Sequence, residues 1–191
     1  MGRRLLFLGP PGAGKGTQAA MLARALGVAH VSTGDMLRQA VAEGTALGKR
    51  AESIMAAGDL VPDDLVVAMV AERLAKRDAE CGYLLDGFPR NVPQAEALSA
   101  ALGDGALEMV LLLDVDEEEL VRRLLGRAAQ QGRTDDNEET IRRRLDVYRR
   151  ETEPLADYYP RQGVAVVEVH GDGAIDEVFA RVVRKLAEER S

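Results

Sequence analysis

The stretch Gly9-Pro10-Pro11-Gly12-Ala13-Gly14-Lys15-Gly16-Thr17 limits what this chain can be more than any other. It follows an apolar run, Leu5-Leu6-Phe7-Leu8, and opens onto a helical pattern from Thr17 to Leu26. A strand, a glycine-rich turn and a helix in that order form the setting of a phosphate-binding loop. The glycines let backbone N–H groups converge with no side chain in the way. The helix that follows adds its positive N-terminal end. Lys15 adds a mobile cation suited to β- and γ-phosphates. The spacing of Gly9, Gly14 and Lys15 fits the general P-loop pattern, with the hydroxyl of Thr17 one residue late because Gly16 intervenes. Lysine is scarce here, occurring only as Lys15, Lys49, Lys76 and Lys185. The competing reading is a glycine-rich turn that only caps a strand.

The remaining apolar runs are short: Arg4–Leu8, Ala29–Ser32, Tyr83–Asp86, Met109–Val115 and Val164–His170. Helical patterns separate them, which predicts a parallel sheet covered on both faces, an α/β fold. Runs that are apolar without alternation suit strands buried on both sides. In open sheets of this kind, ligands bind beyond the carboxyl ends of the strands. The glycine-rich loop and Asp86 fall at such ends, and Asp114 falls near one. Two places depart from alternation. Between His30 and Tyr83 about three helical segments replace one, broken by Gly44, Gly48 and Gly58, and read as a helical insertion. Between Leu125 and Thr140 the apolar face is lost, which predicts a short polar loop. A long helix is expected from about Asp136 to Tyr158, ended by Pro160.

A chain of 191 residues suits one domain with a substantial core. Its net charge of −7 argues against a general nucleic-acid surface. Any anion site must therefore be built locally, from arginines. The single cysteine, Cys81, excludes an internal disulfide and a cysteine-rich zinc site, and is read as a small buried filler. No apolar run is long enough to span a membrane, and no signal-peptide pattern opens the chain, so a cytoplasmic protein is expected.

Asp86 ends an apolar strand and precedes Gly87. Beside a phosphate-binding loop, an acid there holds magnesium directly or through water; without one, it starts a turn. Gly87-Phe88-Pro89-Arg90 follows, with Pro89 stiffening the turn and Arg90 able to present a planar fork to a phosphate. Helical spacing sorts the other arginines. Arg142 and Arg143 have Glu138 and Glu139 four residues earlier, which predicts surface pairs. Glu118 and Glu119 can serve Arg122 and Arg123. Arg144 has no acid at helical spacing and borders the apolar side Ile141–Leu145–Tyr148, and Arg127 is placed similarly behind Leu120 and Leu124. Such charges need an anion from elsewhere, or belong to a solvated basic face. Arg133 falls in the polar loop, where closure could bring it onto phosphates.

Taken together these motifs resemble the adenylate kinase family along the whole chain. The resemblance rests on Gly9 to Thr17 with Gln18, on Ser32-Thr33-Gly34-Asp35-Met36-Leu37-Arg38, and on Gly58-Asp59-Leu60-Val61-Pro62. It continues through Asp86-Gly87-Phe88-Pro89-Arg90 with Gln94, Arg133 with Asp135-Asp136, and Glu138-Glu139-Thr140-Ile141-Arg142-Arg143-Arg144-Leu145.

The resemblance implies a P-loop kinase domain with a five-stranded parallel sheet. A nucleotide-binding insertion would span about residues 32–61 and a short lid about 126–136. The implied reaction is reversible transfer of the γ-phosphoryl of MgATP to AMP, giving two ADP. Gly12, Ala13, Gly14, Lys15, Gly16 and Thr17 would hold the ATP phosphates. Arg127 would contact ATP, and Gly173 would meet its adenine through backbone. Thr33, Arg38, Arg90 and Gln94 would hold AMP, with Asp59, Leu60 and Val61 lining its base and Gly87, Phe88 and Pro89 in the adjoining turn. Lys15, Arg90, Arg127, Arg133 and Arg144 would act on the transferred group, Arg133 and Arg144 bridging the phosphates. Asp86 would hold Mg2+, through water.

Two departures from the family stand out. The lid is cut to a few residues, as in short-lid relatives, so zinc is not expected. Asp59 replaces the lysine of many relatives. The implied partners are ATP, AMP and ADP, with no nucleic acid and no membrane, acting on a monomer whose insertions are free to close. A kinase for another nucleoside monophosphate, such as UMP or CMP, shares most of these features. Thr33 and Gln94 resemble the AMP-selective pattern. A nucleotide-sensing module would bind ATP without turnover dependent on a second substrate.

Overall fold

The computed structural model describes residues 3–103, 107–131 and 137–189. Its centre is a five-stranded parallel sheet in the order β2-β3-β1-β4-β5. The strands are β1 (Arg4–Leu8), β2 (Ala29–Ser32), β3 (Tyr83–Asp86), β4 (Met109–Asp114) and β5 (Ala165–His170). This is the predicted α/β architecture, with strand ends within one residue of those expected.

The apolar runs lack alternation because each face of the sheet has its own core. Leu5 and Phe7 pack with Leu22, Leu111, Leu113 and Val182 on one side. Leu6 and Leu8 pack with Val31, Leu85, Val110 and Leu98 on the other. Fully burying a side chain of this size contributes about 1.5–3 kcal/mol, so the central strands tolerate no polar residue on either face until the functional end is reached.

α1 (Lys15–Leu26) leaves β1 toward the first core, and α5 (Val92–Leu102) leaves β3 toward the second. β1 and β3 are neighbours, with Phe7 opposite Asp86. Adjacent parallel strands whose helices depart to opposite faces open a crevice at their carboxyl ends. The glycine-rich loop and the Asp86–Arg90 turn both lie at that crevice.

Between β2 and β3 the chain forms α2 (Thr33–Ala42), α3 (Ala46–Ala57), α4 (Asp63–Leu74) and a 3-10 turn, Arg77–Ala79. α2 and α3 form a compact hairpin: Ser32 caps α2 by accepting from Asp35 N, and Thr45 caps α3 by accepting from Gly48 N. These caps satisfy first-turn N–H groups that the helices cannot satisfy themselves. The hairpin ends at Gly58, with φ of +80°; a Cβ there would lie 3.0 Å from both Arg144 Cγ and Thr140 Cγ2. Glycine is what allows the hairpin to close on the helix that carries Arg144.

The second half differs from expectation in three places. α6 (Glu117–Gln131) runs past Gly126, so residues 126–131 are helical and not a loop. Arg127, Ala128 and Ala129 are good helix formers, and one interior glycine does not outweigh them. The helix expected from Asp136 instead starts at Glu138, where Asn137 accepts from Thr140 N at 3.0 Å; this is α7 (Glu138–Val147). It continues as a π-turn, Tyr148–Thr152, and then as α8 (Leu155–Arg161), so Pro160 lies inside α8 instead of ending it. The break comes earlier, at Pro154, whose missing N–H interrupts the ladder. α9 (Ile175–Glu188) returns after β5 to cover the first core. Cys81 is exposed, against the expectation of a buried filler: it sits in the turn before β3, outside both cores. No helix among the described residues is long and apolar enough to cross a membrane.

Candidate active site

Gly14, the N-cap of α1, has φ of +91° and provides no side-chain cap. Its first-turn N–H groups therefore stay available to an outside acceptor. The loop before it is held at Gly9, where φ is +141° and a Cβ would meet Leu113 O at 2.6 Å. Lys15 Nζ donates to the carbonyls of Gly9 at 2.7 Å and Pro10 at 2.8 Å. Its ammonium is thus placed over the loop. Burial pushes the Lys15 pKa down to about 8; Asp86 opposes the shift, and Arg90, Arg144 and Arg127 add to it. Burial likewise lowers Arg90 to about 10, with Arg144 the next cause. Several cations thus converge on one place, an arrangement suited to an anion.

Two clefts open from this point. The first is lined by Gly12 to Thr17, His30, Asp86, Arg123, Arg127, Gly171 and Gly173. The second is lined by Thr33, Leu37, Arg38, Met55, Asp59, Leu60, Val61, Pro89 and Gln94, with Tyr148 and Thr152 of the π-turn. Lys15, Arg38, Gly87, Arg90 and Arg144 line both. Two anionic ligands entering from opposite sides would therefore meet end to end on the same cations.

The second cleft is tied together by buried polar bonds. Thr33 Oγ1 and Arg90 Nε both donate to the Gly87 carbonyl at 2.7 Å. Arg90 N donates to Gln94 Oε1 at 2.8 Å, and Thr152 Oγ1 donates to the Arg90 carbonyl at 2.7 Å. Arg90 is thus fixed at three points, although its side chain belongs to a turn. Phe88 is buried in the core behind this turn and does not line the cleft. Arg38 is held by Asp35 at 2.5 Å.

In the first cleft, Asp86 is 8% exposed. A Cβ on Gly16 would lie 3.4 Å from Asp86 Oδ2, so its carboxylate reaches the start of α1. His30 Nε2 stands 3.8 Å from the same oxygen. Magnesium takes one or two protein carboxylates and completes its octahedron with phosphate oxygens and water. A single buried acid beside Lys15 and Thr17 fits that donor set. Among the described residues no three His, Cys, Asp or Glu side chains gather as a protein-only cage.

The sequence pairs divide. Arg142 bonds Glu138 at 2.7 Å as expected. Arg143 does not take Glu139: it forms a bidentate pair with Asp59 at 2.6 and 2.7 Å, joining the end of the insertion to α7. Glu119 serves both Arg122 and Arg123. Arg123 also donates to the Gly171 carbonyl at 3.1 Å, which puts its guanidinium in the wall of the first cleft. Sequence spacing alone makes it a surface residue. Arg127 lines the first cleft, and Arg144 lines both. Arg133, Asp135 and Asp136 lie outside the described residues.

Comparison with known proteins agrees with this geometry. The adenylate kinase family model matches residues 7–164. The adenylate kinase of Thermus thermophilus is 54% identical over 184 residues, covering 95% of this chain and 96% of its own. That of Thermobifida fusca is 52% identical over 185 residues, 96% and 97% of the two chains. That of a Synechococcus species is 51% identical over 189 residues, 98% and 100% of the two chains.

The chain belongs to the adenylate kinase family. It is a kinase, and phosphoryl transfer between adenine nucleotides is the chemistry of that family.

Proposed function

We propose that this chain transfers the γ-phosphoryl of MgATP to AMP by in-line displacement, reversibly, giving two ADP. The observation that carries the reading is that Lys15, Arg38, Arg90 and Arg144 line both clefts. ATP takes the first cleft: Gly12 to Thr17 hold its phosphates, Arg127 contacts them, and the Gly173 backbone meets its adenine. AMP takes the second: Thr33, Arg38, Arg90 and Gln94 hold it, and residues 59–61 line its base. The insertion of about residues 32–61 is the AMP-binding segment, and about 126–136 is the lid, to which the family resemblance adds Arg133. Asp86 would hold Mg2+ through water, and the ion would supply positive charge to offset that of the transferred group.

The AMP phosphate has a second pKa of about 6, so at pH 7 it is largely a dianion and already a nucleophile. An oxygen of that phosphate attacks the γ-phosphorus of ATP. The bond from that phosphorus to the β–γ bridging oxygen breaks, and ADP leaves with the electron pair. Atoms and charge balance with no proton transferred, so no general base is needed. The chain's task is to align two polyanions and offset their repulsion. Lys15, Arg90 and Arg144 stand where the two phosphate chains meet. Closure of the insertion and lid excludes the water that would otherwise turn transfer into hydrolysis. The protein is expected to act as a cytoplasmic monomer.

Product analysis with MgATP and, separately, AMP, UMP, CMP, GMP and shikimate, each against a no-acceptor control, tests this. The expected result is two ADP formed per AMP consumed, with little product elsewhere. Preferred use of UMP or CMP overturns the reading of Thr33 and Gln94. ATP loss independent of any acceptor makes the protein a nucleotide-hydrolysing switch.

A further inference from the structure

Gln94 is 1% exposed, and its amide is engaged at both ends. Oε1 accepts from Arg90 N at 2.8 Å, and Nε2 donates to Asp63 Oδ1 at 2.7 Å. A primary amide has nearly the same shape in its two flipped states, so only its partners decide where oxygen and nitrogen lie. Here the partners decide without ambiguity. The Arg90 backbone N–H can only donate, and an ionised carboxylate can only accept. Asp63 stands at the first position of α4, partly buried, and also accepts from Asn91 Nδ2 at 3.1 and 3.2 Å. Asn91 in turn caps α5 by accepting from Gln94 N at 2.9 Å. Asp63 therefore anchors the start of the helix that carries Gln94 as well as its side chain.

We infer that Asp63 is a specificity-setting positioning residue, which locks the Gln94 amide in the one orientation that reads the adenine edge of the acceptor. The inference rests on the assignment of AMP to the second cleft. With Oε1 and Nε2 each partly used, Gln94 keeps one N–H and one lone pair for the base. Adenine offers an amino donor beside a ring-nitrogen acceptor. Cytosine offers the same pair. Hypoxanthine, guanine and uracil offer the reverse, a carbonyl acceptor beside a ring N–H. A free amide satisfies either pattern by flipping, whereas a locked one leaves two donors and two acceptors opposed when the reverse pattern enters. The discrimination thus comes from the group that forbids the flip as much as from the group that touches the base.

The test compares the protein with its Asp63→Ala and Asp63→Asn variants in steady-state kinetics, with ATP as donor and AMP, IMP, CMP and UMP as acceptors. AMP against IMP, and CMP against UMP, are pairs matched in size and opposite in hydrogen-bond pattern. Loss of a charge-assisted bond that fixes the flip should lower the kcat/KM ratio of both pairs, about tenfold in Asp63→Ala. The KM for AMP should rise while that for ATP holds. Asp63→Asn keeps the side-chain shape and helix position and removes only the acceptor-only constraint, so it should move both ratios the same way by a smaller factor.

Ratios unchanged in both variants overturn the inference. A uniform fall across all four acceptors makes Asp63 merely structural and also overturns it. A parent protein that does not use AMP overturns the acceptor assignment itself, a result distinguishable because it needs no variant.

Discussion

The two clefts that meet at Lys15, Arg90 and Arg144 are built by different means. The phosphate cradle of the first is one contiguous piece of chain, a loop, a helix N-terminus and a lysine between Pro11 and Thr17, set in a wall drawn from other segments. Its recognition elements are backbone N–H groups and cations, which suit any polyphosphate. The second is stitched from segments far apart in the chain. Thr33 bonds Gly87 across 54 residues, Gln94 bonds Asp63 across 31, and Thr152 bonds Arg90 across 62. Phosphate recognition can be delivered by local sequence; reading one base against another takes a network of directional bonds that only the tertiary fold assembles. The acceptor side should therefore be the selective side, and the donor side the tolerant one.

The largest expected effect falls where the clefts join. Lys15→Met and Arg144→Ala each remove a cation that lines both clefts. Each should lower kcat on the order of 10²–10³-fold with folding retained. Circular dichroism and steady-state kinetics check this, and near-normal turnover in both variants breaks the electrostatic account.

An intermediate effect separates the sides. Thr33→Ala deletes the hydroxyl that ties α2 to the Gly87 carbonyl, on the acceptor side alone. A lost buried hydrogen bond of about 1–1.5 kcal/mol corresponds to roughly a tenfold rise in the KM for AMP. The KM for ATP should stay unchanged in the same assay; an equal rise for both nucleotides would show that the clefts are not independent.

The smallest effect is a proton count. Lys15 has its pKa lowered to about 8 by burial, against an ordinary value of 10.5. Between those values the unfolded chain carries a proton that the ligand-free fold has released. Stability of the ligand-free protein should therefore rise with pH across that window, the reverse of a lysine that gains a partner on folding. Phosphates placed on the ammonium restore the proton. ATP binding at a pH of about 8.5 should take up on the order of half a proton, and AMP less, in calorimetry across buffers of different ionisation enthalpy. No uptake with ATP would remove Lys15 from the phosphates.

The same contrast decides what is legible in the sequence. The strands and the glycine-rich loop are readable because apolar runs and glycine spacing are local signals. Asp86 is readable as the residue ending a strand, and its partner strand follows from the fold order. Asp63, Asn91 and Thr152 carry no such signal, because each is an ordinary polar residue until the fold brings it to Arg90 or Gln94. Arg143 misleads for the same reason. Glu139 sits at the right helical spacing, but Asp59 lies 84 residues earlier in the chain and presents both carboxylate oxygens to the guanidinium. The polar stretch after Leu125 reads as a loop because its apolar face fades. α6 continues past Gly126 on helix propensity, without needing such a face there.

The most direct test of transfer between two nucleotides bound together is the stereochemistry at the transferred phosphorus. ATP made chiral at its γ-phosphorus, reacted with AMP, should yield β-labelled ADP with inverted configuration, the outcome of a single in-line displacement. Retention would mean two displacements through a phosphorylated side chain, and would contradict a site in which the arginines and Lys15 only align and neutralise.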